Sequence, residues 1–257
     1  MPAIANGEIV FNNVLDKGFY HLRVHAPQLT QDVGPGQFVQ VKVRPGFEPL
    51  LRTPISVHDA QTESGQLDLL YRVVGDSTDL LSQLQPGGLL DLVGPLGRGF
   101  SLPPAGHEAW LLAGGIGVAP LFYLARQLRA HGYTTRLFYG VRSAAELVRL
   151  QDFRDLGVSV ATCTDDGSCG LQGNVLHLIQ QAELPAACQL YACGPRPMLK
   201  AVDDFALLNR LPAEISLEEY MACGIGACLG CACATKSGGF AHVCTDGPVF
   251  RGGELKL

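Results

Sequence analysis

The sequence predicts a β plus α/β chain in three parts: an antiparallel β unit over residues 1–100, a doubly wound parallel-sheet unit over 101–213, and a small cysteine-rich unit over 214–257. Three observations predict it. Up to residue 100, short β-rich runs alternate with Gly/Pro turns, the pattern of a small barrel or sandwich. From residue 108 to 209, strands alternate with helices, as in a parallel sheet with crossover helices. After residue 214 both periods stop, and glycine and cysteine take over.

The first unit contains EIVFNNVL (8–15), FYHLRVHA (19–26), QFVQVKV (37–43), LLRTPISV (50–57), LDLLYRVV (67–74) and LLDLVG (89–94). Gly34-Pro35-Gly36, Pro45-Gly46 and Pro86-Gly87-Gly88 mark turns. A helix is expected over 77–85, where Leu80, Leu81 and Leu84 recur at helical spacing until Pro86-Gly87 stops them. Residues 101–107, SLPPAGH, read as a linker. Beyond it come strands at 109–113, 135–140, 158–163 and 189–194, with helices at 118–130, 143–153, 174–183 and 198–209.

Composition excludes several functions. Net charge is −5, so no basic footprint for nucleic acid is present. Residues are 47% hydrophobic and 17% charged, enough apolar material for a sizeable core. No apolar run approaches the ~18 residues of a membrane span. The opening MPAIANGEIVFNN has no charged stretch followed by an apolar one, so no secretory signal is expected. The seven histidines are dispersed, and no Ser-His-Asp or paired-carboxylate constellation stands out.

The strongest signal is MACGIGACLGCACATKSGGFAHVCTDGP, residues 221–248. Cys223, Cys228, Cys231 and Cys244 give C-x4-C-x2-C followed by a distal cysteine, the plant-type [2Fe–2S] spacing. Gly224, Gly226 and Gly230 let backbone N–H groups approach the sulfurs. Four cysteines also suit Zn²⁺, but structural zinc sites usually pair two short hooks. Cys233 reads as a free, buried thiol.

Two loops point to a nucleotide. LLAGGIGVAPL (111–121) runs from a strand through Gly114, Gly115 and Gly117 into a helix, whose free N–H groups favour an anion. QLYACGPRPML (189–199) ends a second strand at Cys193-Gly194. Both lie at carboxyl ends of parallel strands, where ligands bind in open α/β sheets. Arg52 and Arg72 are cations in apolar strands, and Gly75-Asp76-Ser77-Thr78 opens the expected helix as an N-cap or a phosphate site.

In this order, Arg52-Thr53-Pro54-Ile55-Ser56, Gly75-x-Ser77-Thr78, Gly114-Gly115-Ile116-Gly117-x-Ala119-Pro120 and Cys193-Gly194-Pro195-x-x-Met198 resemble the ferredoxin–NADP reductase superfamily. Its members join a flavin-binding antiparallel barrel to a nicotinamide-binding α/β domain. With EEYMACGIGACLGC and CTDGP added, essentially the whole chain resembles the electron-transfer subunits of class 1B dihydroorotate dehydrogenases. The resemblance implies FAD, a [2Fe–2S] cluster and NAD. It implies Arg52 on the FAD pyrophosphate, Thr53, Pro54, Ile55 and Ser56 along the flavin, and Ser56 near its N5 edge. Leu70, Tyr71 and Arg72 would hold the flavin or ribityl chain, and Gly75, Ser77 and Thr78 the pyrophosphate. Gly114, Gly115 and Gly117 would cradle the dinucleotide. Cys193 and Gly194 would face the nicotinamide, which makes Cys193 and Ser56 the candidate catalytic residues.

Many superfamily members carry R-x-Y-S where Pro54-Ile55 stand here, so the residue that packs on the isoalloxazine stays open. No eightfold βα pattern is left to bind dihydroorotate. The resemblance therefore implies a partner, an FMN-containing catalytic subunit oxidising dihydroorotate to orotate in pyrimidine synthesis, in a cytoplasmic heterotetramer of two plus two. The cluster loop is expected at that interface, and its apolar Met221, Ile225 and Leu229 either face the partner or pack the small cluster unit. Two alternatives remain: a diaphorase subunit of another redox complex, and a colourless zinc-bearing interaction module. Arg142 could meet a 2′-phosphate, though the resemblance favours NAD.

Overall fold

The structure, a computed structural model, describes residues 2–16 and 18–257. The first unit is a closed six-stranded barrel of β1 (Ala3–Val14), β2 (Phe19–His25), β3 (Phe38–Lys42), β4 (Thr53–Gln61), β5 (Gln66–Arg72) and β6 (Leu89–Leu96). Strand order is β1-β2-β5-β4-β3-β6, every pair antiparallel. Along β1, inward Ala5 and Ile9 alternate with exposed Ile4 and Glu8, the period-two signature of a strand with one buried face. Two short helices decorate the barrel, α1 (Pro27–Thr30) and α2 (Asp76–Ser82). The expected helix over 77–85 thus starts one residue earlier and stops three earlier, before Pro86-Gly87.

The second sheet contains β7 (Glu108–Gly114), β8 (Thr135–Val141), β9 (Ser159–Thr164), β10 (Leu171–Gln172), β11 (Cys188–Cys193), β12 (Ala213–Ser216) and, from the C-terminal segment, β15 (Val249–Arg251). The order is β10-β9-β8-β7-β11-β12-β15, parallel except for the last pair. The chain moves outward from β7 to β10, then returns to the other side of β7 with β11. The order therefore reverses between β7 and β11, and ligands bind at such a switch point.

Helices cover both faces. Leu111, Ala113, Leu137, Tyr139 and Tyr191 pack with α3 (Val118–Ala130) and α4 (Leu150–Asp155). The alternate residues Trp110, Leu112, Phe138 and Leu190 pack with α5 (Val175–Gln181) and α6 (Arg196–Asn209). The helix expected over 143–153 is instead a short 3-10 turn at Ala144–Glu146 and then α4, because Arg149 is left-handed at φ 63° and breaks the run.

The cysteine segment carries a small hairpin, β13 (Ala232–Ala234) with β14 (Phe240–His242). Cys231, Val243, Cys244 and Phe250 share one core with α5 and α6. The expected boundary at 213/214 falls inside β12, whose register is fixed by pairing with β15. No helix among the described residues is long and apolar enough to cross a membrane.

Candidate functional site

Two clefts meet where the barrel, the switch point and the cysteine segment converge. The smaller, ≈ 380 Å³, opens at the carboxyl ends of β7 and β11. Gly114, Gly115, Ile116 and Gly117 form one wall, Gly194, Pro195 and Met198 another, and Arg142 and Asp165 stand at the ends of β8 and β9. Glycine is required here by close approach. A Cβ on Gly114 would lie 2.6 Å from Met198 Sδ, and one on Gly117 would lie 2.2 Å from the Cys193 carbonyl oxygen. The two loops touch backbone to backbone, and together they form the glycine-lined floor of this cleft.

The larger cleft, ≈ 490 Å³, runs between the barrel and α3 and is mostly apolar. Thr53, Pro54, Ile55, Ser56, Leu70, Tyr71, Arg72 and Thr78 line its barrel side, with Ile116, Ala119 and Pro120 opposite. Residues 216–221 close one end. Both volumes suit nucleotide-sized ligands. Arg72, Ile116 and Glu218 border both clefts, so the two are one continuous groove. Arg72 lies over the Phe19 ring at 5.2 Å and 3.8 Å from Glu146. Glu218 opens into the groove, yet the concave wall desolvates its carboxyl and pushes its pKa up.

The barrel is locked to α3 beneath this groove. His58 Nδ1 donates to the Ala119 carbonyl at 2.8 Å, and its ring stacks on Phe122 at 4.8 Å. Arg126 donates to Asp59 at 2.8 Å and to the Ala60 carbonyl at 2.7 Å, while Tyr123 donates to the Val33 carbonyl at 3.1 Å. Burial drives the His58 pKa down to about 3, so the ring is neutral at physiological pH.

In the cysteine loop, the thiols fall into two pairs. Cys223 hydrogen-bonds with Cys228, and the Cys231 and Cys244 sulfurs lie 3.3 Å apart. Backbone N–H groups point at the sulfurs: Ile225 and Cys228 at Cys223 (3.5 and 3.3 Å), Gly230 at Cys228 (3.4 Å), Cys244 at Cys231 (3.4 Å). Partial burial raises the Cys223 thiol, but the N–H groups of Ile225 and Cys228 outweigh it and bring it to about 7, toward the thiolate that binds iron. Two pairs of thiols fit a two-iron cluster, each iron taking two, better than one tetrahedral ion. Cys233 turns away and donates to the Ala241 carbonyl at 3.4 Å in the hairpin.

Residues 218–256 match the iron-sulfur cluster binding domain of dihydroorotate dehydrogenase B, residues 111–204 the oxidoreductase NAD-binding domain, and residues 12–100 the oxidoreductase FAD-binding domain. The dihydroorotate dehydrogenase B (NAD(+)) electron transfer subunit of Geobacillus thermodenitrificans is 42% identical over 253 residues, 97% of each chain. That of Bacillus caldolyticus is 45% identical over 227 residues, 87% of each. The chain belongs to the family of dihydroorotate dehydrogenase B electron transfer subunits. Among solved structures, an NADH-dependent reduced ferredoxin-NADP oxidoreductase superposes with a TM-score of 0.86 at 28% identity, over 97% of this chain and 89% of that one. A ferredoxin NADP+ reductase from Neisseria gonorrhoeae shares the fold, with a TM-score of 0.68 at 20% identity over 80% and 91% of the two chains.

For this family member, the groove gathers Thr53–Ser56, Leu70–Arg72, Thr78, Gly114, Gly115, Gly117 and Gly194. Four expected residues lie outside its lining. Arg52 is committed to Asp91 of β6, at 2.6 Å to the carboxylate and 3.2 Å to the carbonyl. Gly75 and Ser77, at the start of α2, do not reach it. The thiol of Cys193 is 1% exposed in the core under α3, and burial raises its pKa. Thr78 does reach the groove, but its hydroxyl accepts from the Val74 and Gly75 N–H groups. Gly230 is not in the left-handed region; Leu229 takes that conformation instead, at φ 57°.

Sequence reasoning misses Glu218 and Tyr220. Tyr220 lines the larger cleft yet is 95% exposed, an aromatic ring with little of the protein packed on it. The only signal is Glu218-Glu219-Tyr220 standing immediately before the cysteine loop. Met221, expected either at the partner interface or as packing of the cysteine unit, lines the end of the larger cleft and packs on the core shared by that unit.

Proposed function

We propose that this chain exchanges hydride with NAD at FAD and relays electrons through a [2Fe–2S] cluster to and from a separate dihydroorotate-oxidising subunit. The observation that carries this is the continuous groove whose two halves share Arg72, Ile116 and Glu218, closed at its flavin end by the residue two positions before Cys223. Bound in the larger cleft, FAD supplies the conversion between a two-electron hydride and the single electrons that a [2Fe–2S] cluster carries.

The chain's own residues position and exclude. Thr53, Pro54, Ile55 and Ser56 would hold one edge of the flavin, with Leu70 and Tyr71 lining the same side of the cleft. The Tyr71 hydroxyl is taken up by Asn12 Oδ1 at 3.0 Å, so it stays fixed rather than entering the chemistry. Of the residues expected at the pyrophosphate, Thr78 borders the groove, and Arg52 would have to leave Asp91 to reach it. Tyr220, exposed at the edge of the larger cleft, would offer its ring to a bound flavin. Gly114, Gly115, Gly117 and Gly194 admit the dinucleotide backbone to the switch point. Asp165, at the end of β9, would accept from a ribose hydroxyl, with Arg142 lining the same cleft. Cys223, Cys228, Cys231 and Cys244 hold the cluster.

The partner carries FMN, and the assembly is a cytoplasmic two-plus-two heterotetramer. The cluster loop faces that partner through Ile225 and Leu229, which are 54% and 58% exposed. The test is reconstitution. Dihydroorotate should reduce NAD only when the purified chain and an FMN-bearing catalytic subunit are mixed. Leu229→Asp should abolish this coupling while NADH oxidation by artificial acceptors and the visible spectrum stay intact. Full coupling in Leu229→Asp would move the interface elsewhere.

A further inference from the structure

Gln40 lies at the centre of β3 and is completely buried. A strand interior ordinarily takes an apolar residue there, since a buried amide without partners is unfavourable. Gln40 has almost none. Its Nε2 finds only the Met221 thioether, at 3.9 Å, and its Oε1 has no hydrogen-bond partner. Exchanging the two atoms by a flip does not help, because a thioether is a weak acceptor and no donor.

The side chain is pressed against the cysteine loop. Gly224, immediately after Cys223, is left-handed at φ +70°, and a Cβ there would lie 2.8 Å from both Cγ and Nε2 of Gln40. The loop thus approaches Gln40 as closely as glycine allows. On its other side, Gln40 is paired in register with Pro54, a wall of the larger cleft. One residue therefore joins the flavin side of the barrel to the first cysteine of the loop.

We propose that Gln40 is a positioning residue for the iron–sulfur cluster: its buried amide donates a hydrogen bond to a sulfur at the Cys223 end of the site and raises the cluster's reduction potential. Donors to cluster or cysteine sulfur stabilise the reduced, more negative state. A sulfur there would give the Nε2 amide a stronger acceptor than the Met221 thioether, while Oε1, itself an acceptor, is not satisfied by it. This rests on the assignment of Cys223, Cys228, Cys231 and Cys244 as ligands.

The test uses the full chain with FAD and cluster bound. Gln40→Met keeps the side-chain volume and removes the donor; Gln40→Leu is the second variant. Iron and sulfide per chain are measured, and the cluster is titrated by EPR at controlled potential. Both variants should keep wild-type iron and become roughly tenfold harder to reduce, a downward shift of about 59 mV for a one-electron couple. Full iron with an unchanged potential would overturn the proposal and leave Gln40 a packing residue. Should both variants lose iron, wild type labelled with ¹⁵N at the glutamine side chains decides. A ¹⁵N coupling on the reduced cluster supports the hydrogen bond, and its absence overturns it. The ligand assignment is tested separately: Cys231→Ser should lose iron and Cys233→Ser keep it, and the reverse would refute that assignment whatever Gln40 does.

Discussion

The barrel meets the rest of the molecule along two seams built in opposite ways. Against α3, the cross-seam donors find strong acceptors within the chain: a carbonyl for His58 Nδ1, a carboxylate for Arg126, a carbonyl for Tyr123, with His58 Nε2 left unpaired. Against the cysteine loop, the buried side chain of Gln40 has an unpaired oxygen and a thioether for its nitrogen. The first seam fixes the angle between the two nucleotide clefts, which hydride transfer needs held constant whether or not ligands are present. The second leaves the Gln40 amide N–H, the donor proposed for the cluster, with only a weak thioether acceptor.

The comparison can be broken at the α3 seam. Arg126→Ala leaves the Asp59 carboxylate, 8% exposed, without its cation. Burial already raises the Asp59 pKa despite Arg126, so the pair is costly to split. With Arg126 itself a third exposed, the loss should be about 2–3 kcal/mol in denaturant unfolding. A loss below about 1 kcal/mol would class it with ordinary surface pairs.

His58 sharpens the same seam through pH. Its folded pKa, about 3, lies below the ~6.5 of an unfolded histidine. The unfolded chain therefore binds the proton first as pH falls. The stability that neutral His58 contributes is present above pH ~6.5 and declines as pH drops toward 3. Between pH 7 and 5 wild type should lose about 2 kcal/mol more than His58→Phe, which keeps the stack on Phe122 and cannot titrate. Parallel pH curves would place the titrating group elsewhere.

The legible parts of the site are those that close approach imposes on sequence. Gly114 and Gly117 have to be glycine because Met198 and the Cys193 carbonyl occupy the space of a Cβ, so the loop stands out in the amino-acid string itself. The cysteine spacing is legible for the same reason, since one tight loop presents three thiols. β12 and β15, four and three residues long, carry too little pattern, and their pairing spans a non-local contact. Arg149 breaks an otherwise helical pattern through a backbone conformation that its side chain does not announce. Gln40 looks like an ordinary polar position in an alternating strand. What buries it is a loop 181 residues further along the chain, which no local window contains. Tyr220 reads as part of the cysteine motif rather than as a free aromatic at a cleft.

The relay itself is tested most directly by anaerobic titration of the isolated chain, loaded with FAD and cluster, followed by visible absorbance and EPR. NADH should bleach the oxidised flavin and then bring up the signal of a reduced [2Fe–2S] cluster, with no other protein present. Dihydroorotate in place of NADH should change neither spectrum until the catalytic subunit is added. Reduction of the isolated chain by dihydroorotate, or a cluster that stays oxidised under excess NADH, would contradict the electron-relay account.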